Sequence, residues 1–133
     1  MKRSLLFAYQ WVTGLSDTMT GILLCIAPEF TLRLMGLHAS SEMAPYLAYI
    51  GAFVFSVGLA CLYGVVLFHY ESFDRLEVVW LLTAISRCAV AIYVLKAILA
   101  GTLEPGWISV AAFDTLCVAV QAVGLRHRWL AQV

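Results

Sequence analysis

The chain has 133 residues, of which 63% are hydrophobic and 12% charged, and its 8 basic and 8 acidic side chains leave no formal net charge. That length fits one domain, but the charged fraction is about half the roughly 25% of an ordinary soluble domain, so a water-soluble fold could not hide the apolar surface. The basic residues form no stripe, which excludes nucleic acid as a partner.

A bilayer-spanning helix requires about 20 consecutive, mostly apolar residues. Four segments meet that requirement, at about 5–27, 46–68, 77–100 and 106–125. The first follows Met1, Lys2 and Arg3, as a secretory leader would, but it is too long for a leader's apolar core and contains Ser16 and Asp17. It is therefore expected to be retained as a helix. Pro28 closes it, and Phe30, Leu32, Leu34, Met35 and Leu37 then alternate with Arg33 and polar groups. This pattern predicts a short segment lying along the membrane surface. Pro45 precedes the second span. The polar run Glu71, Ser72, Phe73, Asp74, Arg75 separates the second from the third, and Gly101 to Gly106 separate the third from the fourth. Short connections imply antiparallel neighbours. The expectation is an all-α fold, a single membrane domain over 1–133, built as a four-helix transmembrane bundle.

An even number of crossings puts both termini on one side. Lys2, Arg3, Arg75, Arg126 and Arg128 collect on that side, against Arg33 alone in the opposite loops. Positive loops face the cytoplasm, so both termini are expected there, in the cytoplasmic (inner) membrane. Lys96, near the outer end of the third span, can extend its ammonium to the headgroups, and Trp107 and Trp129 fit an aromatic belt.

Three charges lie too deep for that escape. At 1.5 Å per residue, Asp17 stands ~18 Å, Arg87 ~15 Å and Asp114 ~16 Å from the cytoplasmic ends of their helices. A charge at mid-bilayer costs roughly 2.5 to 3.5 kcal/mol, so pairing is expected. Arg87, with five donors in a planar fork, is the natural bridge between Asp17 and Asp114. Gln10, Thr13, Gly14, Asp17 and Gly21 share one face of the first helix, and Asp114, Cys117 and Gln121 share one face of the fourth. Gln10, Thr83 and Gln121 are expected to form a second polar layer nearer the cytoplasm. In the second span Gly51 and Gly58, seven apart, offer a face for close helix packing. Two carboxylates around one arginine leave one negative charge in excess, so a proton held by one aspartate is an alternative to a purely structural cluster.

Cys25, Cys61, Cys88 and Cys117 fall singly in separate spans, and His38, His69 and His127 sit at span ends. No Cys/His spacing for zinc or haem is present, so no metal site is expected and each cysteine reads as a small core residue.

Pro28 after the first helix, Leu34-Met35-Gly36-Leu37, Tyr49-Ile50-Gly51-Ala52-Phe53 and Val57-Gly58-Leu59-Ala60 together resemble the DoxX-like group of small four-helix bacterial membrane proteins. Many of that group carry an arginine shortly before the second-helix glycine, where Tyr46 to Ile50 supply none. The resemblance implies a four-helix bundle with both ends inside. Its implied functions are mixed: quinone-coupled oxidation of sulfur compounds, redox complexes and, in distant relatives, assembly of membrane proteins.

No nucleophile–base pair, metal cage or phosphate-binding glycine loop is legible. The favoured expectation is therefore a non-enzymatic accessory subunit or scaffold, packed against larger membrane partners or itself. No cofactor is evident, although a quinone-like ligand or lipid fits. A quinone-interacting oxidoreductase component with an Asp/Arg proton site is the alternative, with Cys88 and Cys117 near that layer. A small dimeric transporter, associating through the glycine face of the second helix, is the third.

Overall fold

A computed structural model describes residues 2–38 and 40–133. The described residues form helices and the turns that join them, with no strand. Five α-helices run in chain order: α1 (Lys2–Ile26), α2 (Pro28–Leu34), α3 (Ala44–His69), α4 (Phe73–Leu99) and α5 (Ile108–Arg126). Short 3-10 turns at Ser41–Met43 and Pro105–Trp107 lead into α3 and α5, and a third at Trp129–Gln132 follows α5.

The helices extend the four predicted spans by a few residues at most of their ends, since polar turns such as Phe73-Asp74-Arg75 continue a helix that hydropathy cuts short. Three helical stretches are long and apolar enough to cross a membrane: Ser41–His69, Phe73–Leu99 and Pro105–Arg126. α1 has the length, at 25 residues, but is not among them. Gln10, Thr13, Ser16, Asp17, Thr18 and Thr20 dilute its apolar content, so membrane crossing is supported by length and composition for three of the four expected helices.

By its contacts the chain divides within α3 into two compact units, Ser4–Val65 and Val66–Val133, the latter joined by the first residues of the chain.

In the first unit α1 and α3 meet backbone to backbone. A Cβ placed on Gly21 would stand 2.4 Å from the Phe55 nitrogen and 2.7 Å from the Gly51 carbonyl oxygen. One on Gly58 would stand 2.4 Å from the Thr18 nitrogen. The glycines expected to pack helices do so, and the face they form is filled by α1. α2 is a true helix, which the alternating pattern had suggested only as a surface segment. Gly36, at φ 72°, ends it with the Leu37 amide bonded to Leu32 O at 2.9 Å and the Gly36 amide to Arg33 O at 3.0 Å. Leu32 and Leu37 are both buried, the apolar contact that accompanies this left-handed cap. Phe30 and Leu34 remain exposed.

In the second unit α4 and α5 pack along their length. The Trp80 indole is fully buried and lies against Gly124, where a Cβ would stand 2.5 Å from Cζ3. Gly101 closes α4 with the same cap geometry as Gly36. Arg3, which belongs to this unit, donates to Glu71 Oε1 at 2.8 Å and stands over the Phe68 ring. Glu71 and Arg128 take left-handed φ values of 55° and 48°, which non-glycine residues adopt at a cost.

The distribution of side chains is the reverse of a water-soluble protein's. Gln10 and Gln121 are 1% exposed and Arg87 4%, whereas Leu99 is 88% and Tyr93 67% exposed. Lys96 is exposed near the end of α4. Tyr46 and Tyr49 near the start of α3 and Tyr70 just after it are also exposed.

Candidate functional site

Along α4 the buried positions are Leu76, Trp80, Thr83, Arg87, Ala91, Val94 and Ala97, and along α5 Ala111, Asp114, Cys117, Gln121 and Gly124. Both sets recur every three or four residues, so each helix has one inward stripe. On α4 the stripe holds Thr83 and Arg87 one turn apart. On α5 it holds Asp114 and Gln121 two turns apart. The helices run antiparallel, which sets Arg87 opposite Asp114 and Thr83 opposite Gln121.

Both rungs are made. Arg87 Nη1 donates to Asp114 Oδ1 at 2.7 Å, and both side chains are almost wholly buried. The guanidinium carbon also lies 5.4 Å from the centre of the Phe113 ring. The cation is thus placed between a carboxylate and an aromatic face, each of which favours its charge. In the second rung Gln121 Nε2 donates to Thr83 Oγ1 at 2.8 Å. Thr83 sends its own hydroxyl proton back to Val79 O at 2.8 Å, which leaves its oxygen free to accept. The Gln121 Oε1 atom is buried without a hydrogen-bond partner among the described residues.

Of the expected three-membered charge cluster, Arg87 and Asp114 are joined. Asp17 lies in the other unit, buried on α1 on the same face as Gln10, Thr13 and Gly21. Gln10, expected to share a layer with Thr83 and Gln121, hydrogen-bonds within its own unit, from Nε2 to Cys61 O at 3.3 Å. Thr13 is satisfied locally, by Tyr9 O at 2.9 Å.

Phe113 was not foreseen, although an aromatic residue directly before a buried aspartate is visible in the sequence. The cysteines divide. Cys61 and Cys117 are buried and Cys88 half-buried, whereas Cys25 is exposed, a correction to its expected place in the core. Near the C-terminal end of α1 its backbone nitrogen lies beside Gly51, and its thiol reaches Ala48 O of α3 at 3.4 Å while remaining open to the outside. Among the described residues no group of three or more His, Cys, Asp or Glu could hold a metal ion.

Apolar helices long enough to cross a bilayer, dressed outside with leucine, isoleucine and tyrosine and inside with paired polar groups, define a helical integral membrane protein. No protein-family model, curated protein or solved structure matches this chain.

Proposed function

We propose that the chain is a small accessory subunit or scaffold of the cytoplasmic membrane, which crosses it four times with both termini inside and packs against larger membrane partners. The single observation behind this reading is where the chemistry lies: buried polar groups, Arg87 with Asp114 and Thr83 with Gln121, pair with one another between two helices. What the helices present outward is a broad surface of large apolar side chains, fit for lipid or for partner helices. The polar stripe of α1 is buried while Leu5, Val12, Leu15, Met19 and Ile26 are exposed, which supports a fourth crossing despite its diluted composition. The excess of arginine in the turns at Arg75 and after α5 supports the orientation. A DoxX-like relationship agrees with this architecture and stays part of the proposal.

The dimeric transporter loses its proposed contact, because α1 already fills the face of Gly51 and Gly58. Extraction in mild detergent followed by mass spectrometry of co-purifying proteins tests the reading. A reproducible set of larger membrane subunits is expected. A chain that purifies alone with a stoichiometric quinone would instead favour the oxidoreductase alternative.

A further inference from the structure

The junction of α1 and α2 carries a second set of polar groups, at a helix end instead of mid-membrane. Ala27, Pro28, Glu29, Phe30, Arg33 and Ala44 line an open groove of about 440 Å³ there. Its walls are mostly apolar, and two opposite charges stand on its rim. Arg33 Nη2 is 3.8 Å from Glu29 Oε2, beyond hydrogen-bond range, and both side chains are exposed. Neither group is saturated by the other: the guanidinium keeps its five donors and the carboxylate its lone pairs. Beside them α2 turns Phe30 and Leu34 outward. An arginine among exposed large apolar side chains on a short helix is the composition of a membrane–water interface.

We propose that this groove binds the headgroup of a zwitterionic phospholipid bearing a primary ammonium, with its phosphate on Arg33, its ammonium on Glu29 and its glycerol region over Phe30 and Ala44. Charge complementarity selects that occupant. A headgroup with only negative charge would gain Arg33 but meet the Glu29 carboxylate. A choline headgroup carries the right charges, but its trimethylated nitrogen has no N–H to donate, so it forfeits the charge-assisted hydrogen bond to Glu29. The proposal rests on the reading that α2 lies at the membrane surface, and it names the lipid that the proposed scaffold would order.

The test uses the full chain, purified in detergent, stripped of lipid and titrated with phosphatidylethanolamine, phosphatidylcholine and phosphatidylglycerol of identical acyl chains, with bound lipid counted by native mass spectrometry. Phosphatidylethanolamine is expected to bind about tenfold more tightly than phosphatidylcholine, the value of one charge-assisted hydrogen bond, and more tightly than phosphatidylglycerol. Glu29→Gln should erase the difference between ethanolamine and choline lipids, and Arg33→Gln should weaken both together. Both side chains are exposed, and thermal unfolding confirms that each variant is folded. Equal binding of all three lipids, tightest binding of phosphatidylglycerol, or an ethanolamine preference that survives both substitutions overturns the proposal. Partner subunits are read in a separate experiment, so failure here leaves the scaffold reading intact, and absence of partners leaves this site intact.

Discussion

Arg87 Nη1 and Asp114 Oδ1 stand 2.7 Å apart, joining α4 to α5 through a hydrogen bond between two buried, oppositely charged side chains. Removing one partner strands the other in a low-dielectric interior, and that is worse than removing both. Arg87→Leu is therefore expected to destabilise the protein by about 3–5 kcal/mol, while the double change Arg87→Leu with Asp114→Leu recovers most of the loss. Thermal unfolding in detergent and membrane yield measure both. A double variant no more stable than the single would mean that the pair is not what the interior depends on. Arg87→Lys should fall between, because a point charge cannot also lie flat against the Phe113 ring.

The second rung makes a smaller claim. Thr83 Oγ1 is the acceptor for Gln121 Nε2, whose amide oxygen already lacks a partner among the described residues. Thr83→Val keeps the shape and removes the acceptor, and a loss of about 1 kcal/mol is expected, typical of hydrogen bonds between membrane helices. Thr83→Ser retains the oxygen and should unfold at nearly the wild-type temperature. A loss in Thr83→Ser with none in Thr83→Val would assign the effect to packing of the methyl group.

The pairing of Arg87 with Asp114, one arm of the expected bridge to both aspartates, was legible in the sequence because depth in a membrane helix is a matter of counting. The two residues sit at similar depths in helices joined by a short turn, and a buried charge has few ways to avoid its opposite. What counting could not supply were backbone acceptors: Gln10 Nε2 bonds the Cys61 carbonyl, a group that no side-chain inventory reveals. α2 was obscure for a different reason. Seven residues are too few to display a helical period, and its end is fixed by the Leu32–Leu37 cap across Gly36, a five-residue relation that reads in the sequence as simple alternation. The exposure of Cys25 is equally invisible in its apolar neighbours, since composition does not say which side of α1 a residue occupies.

Close approach of α1 to α3 makes Gly21 and Gly58 sensitive. A Cβ at either would meet backbone atoms at 2.4 Å, and backbone cannot rotate aside as a side-chain tip can. Gly21→Val and Gly58→Val are each expected to cost about 1–3 kcal/mol, as overpacked sites do. Ala52→Val, on the exposed side of α3, is the control and should unfold near the wild-type temperature.

Gly124 is sensitive through a side chain instead. The Trp80 indole that a new Cβ would strike is rigid and has no exposed surface to move into. Gly124→Ala should therefore lower thermal stability and shift the tryptophan fluorescence maximum, since the ring must leave its pocket to make room. An unchanged spectrum with unchanged stability would place the ring elsewhere.

α1 decides whether the chain crosses the membrane three times or four. Its polar stripe is buried and its apolar side chains exposed, so it can sit in lipid without presenting Gln10, Thr13 or Asp17 to the acyl chains. Single cysteines at Ser4, Ser40, Ser72 and Thr102, introduced after the four native cysteines are replaced, distinguish the cases by labelling of intact cells with a membrane-impermeant maleimide. Four crossings with the termini inside predict labelling at Ser40 and Thr102 and protection at Ser4 and Ser72 until the membrane is opened. If α1 lies outside the bilayer, Ser4 and Ser40 must behave alike, because no crossing would separate them. Ser72 and Thr102 differ under either topology, since α4 has the length and apolar composition to cross by itself, and that pair calibrates the measurement.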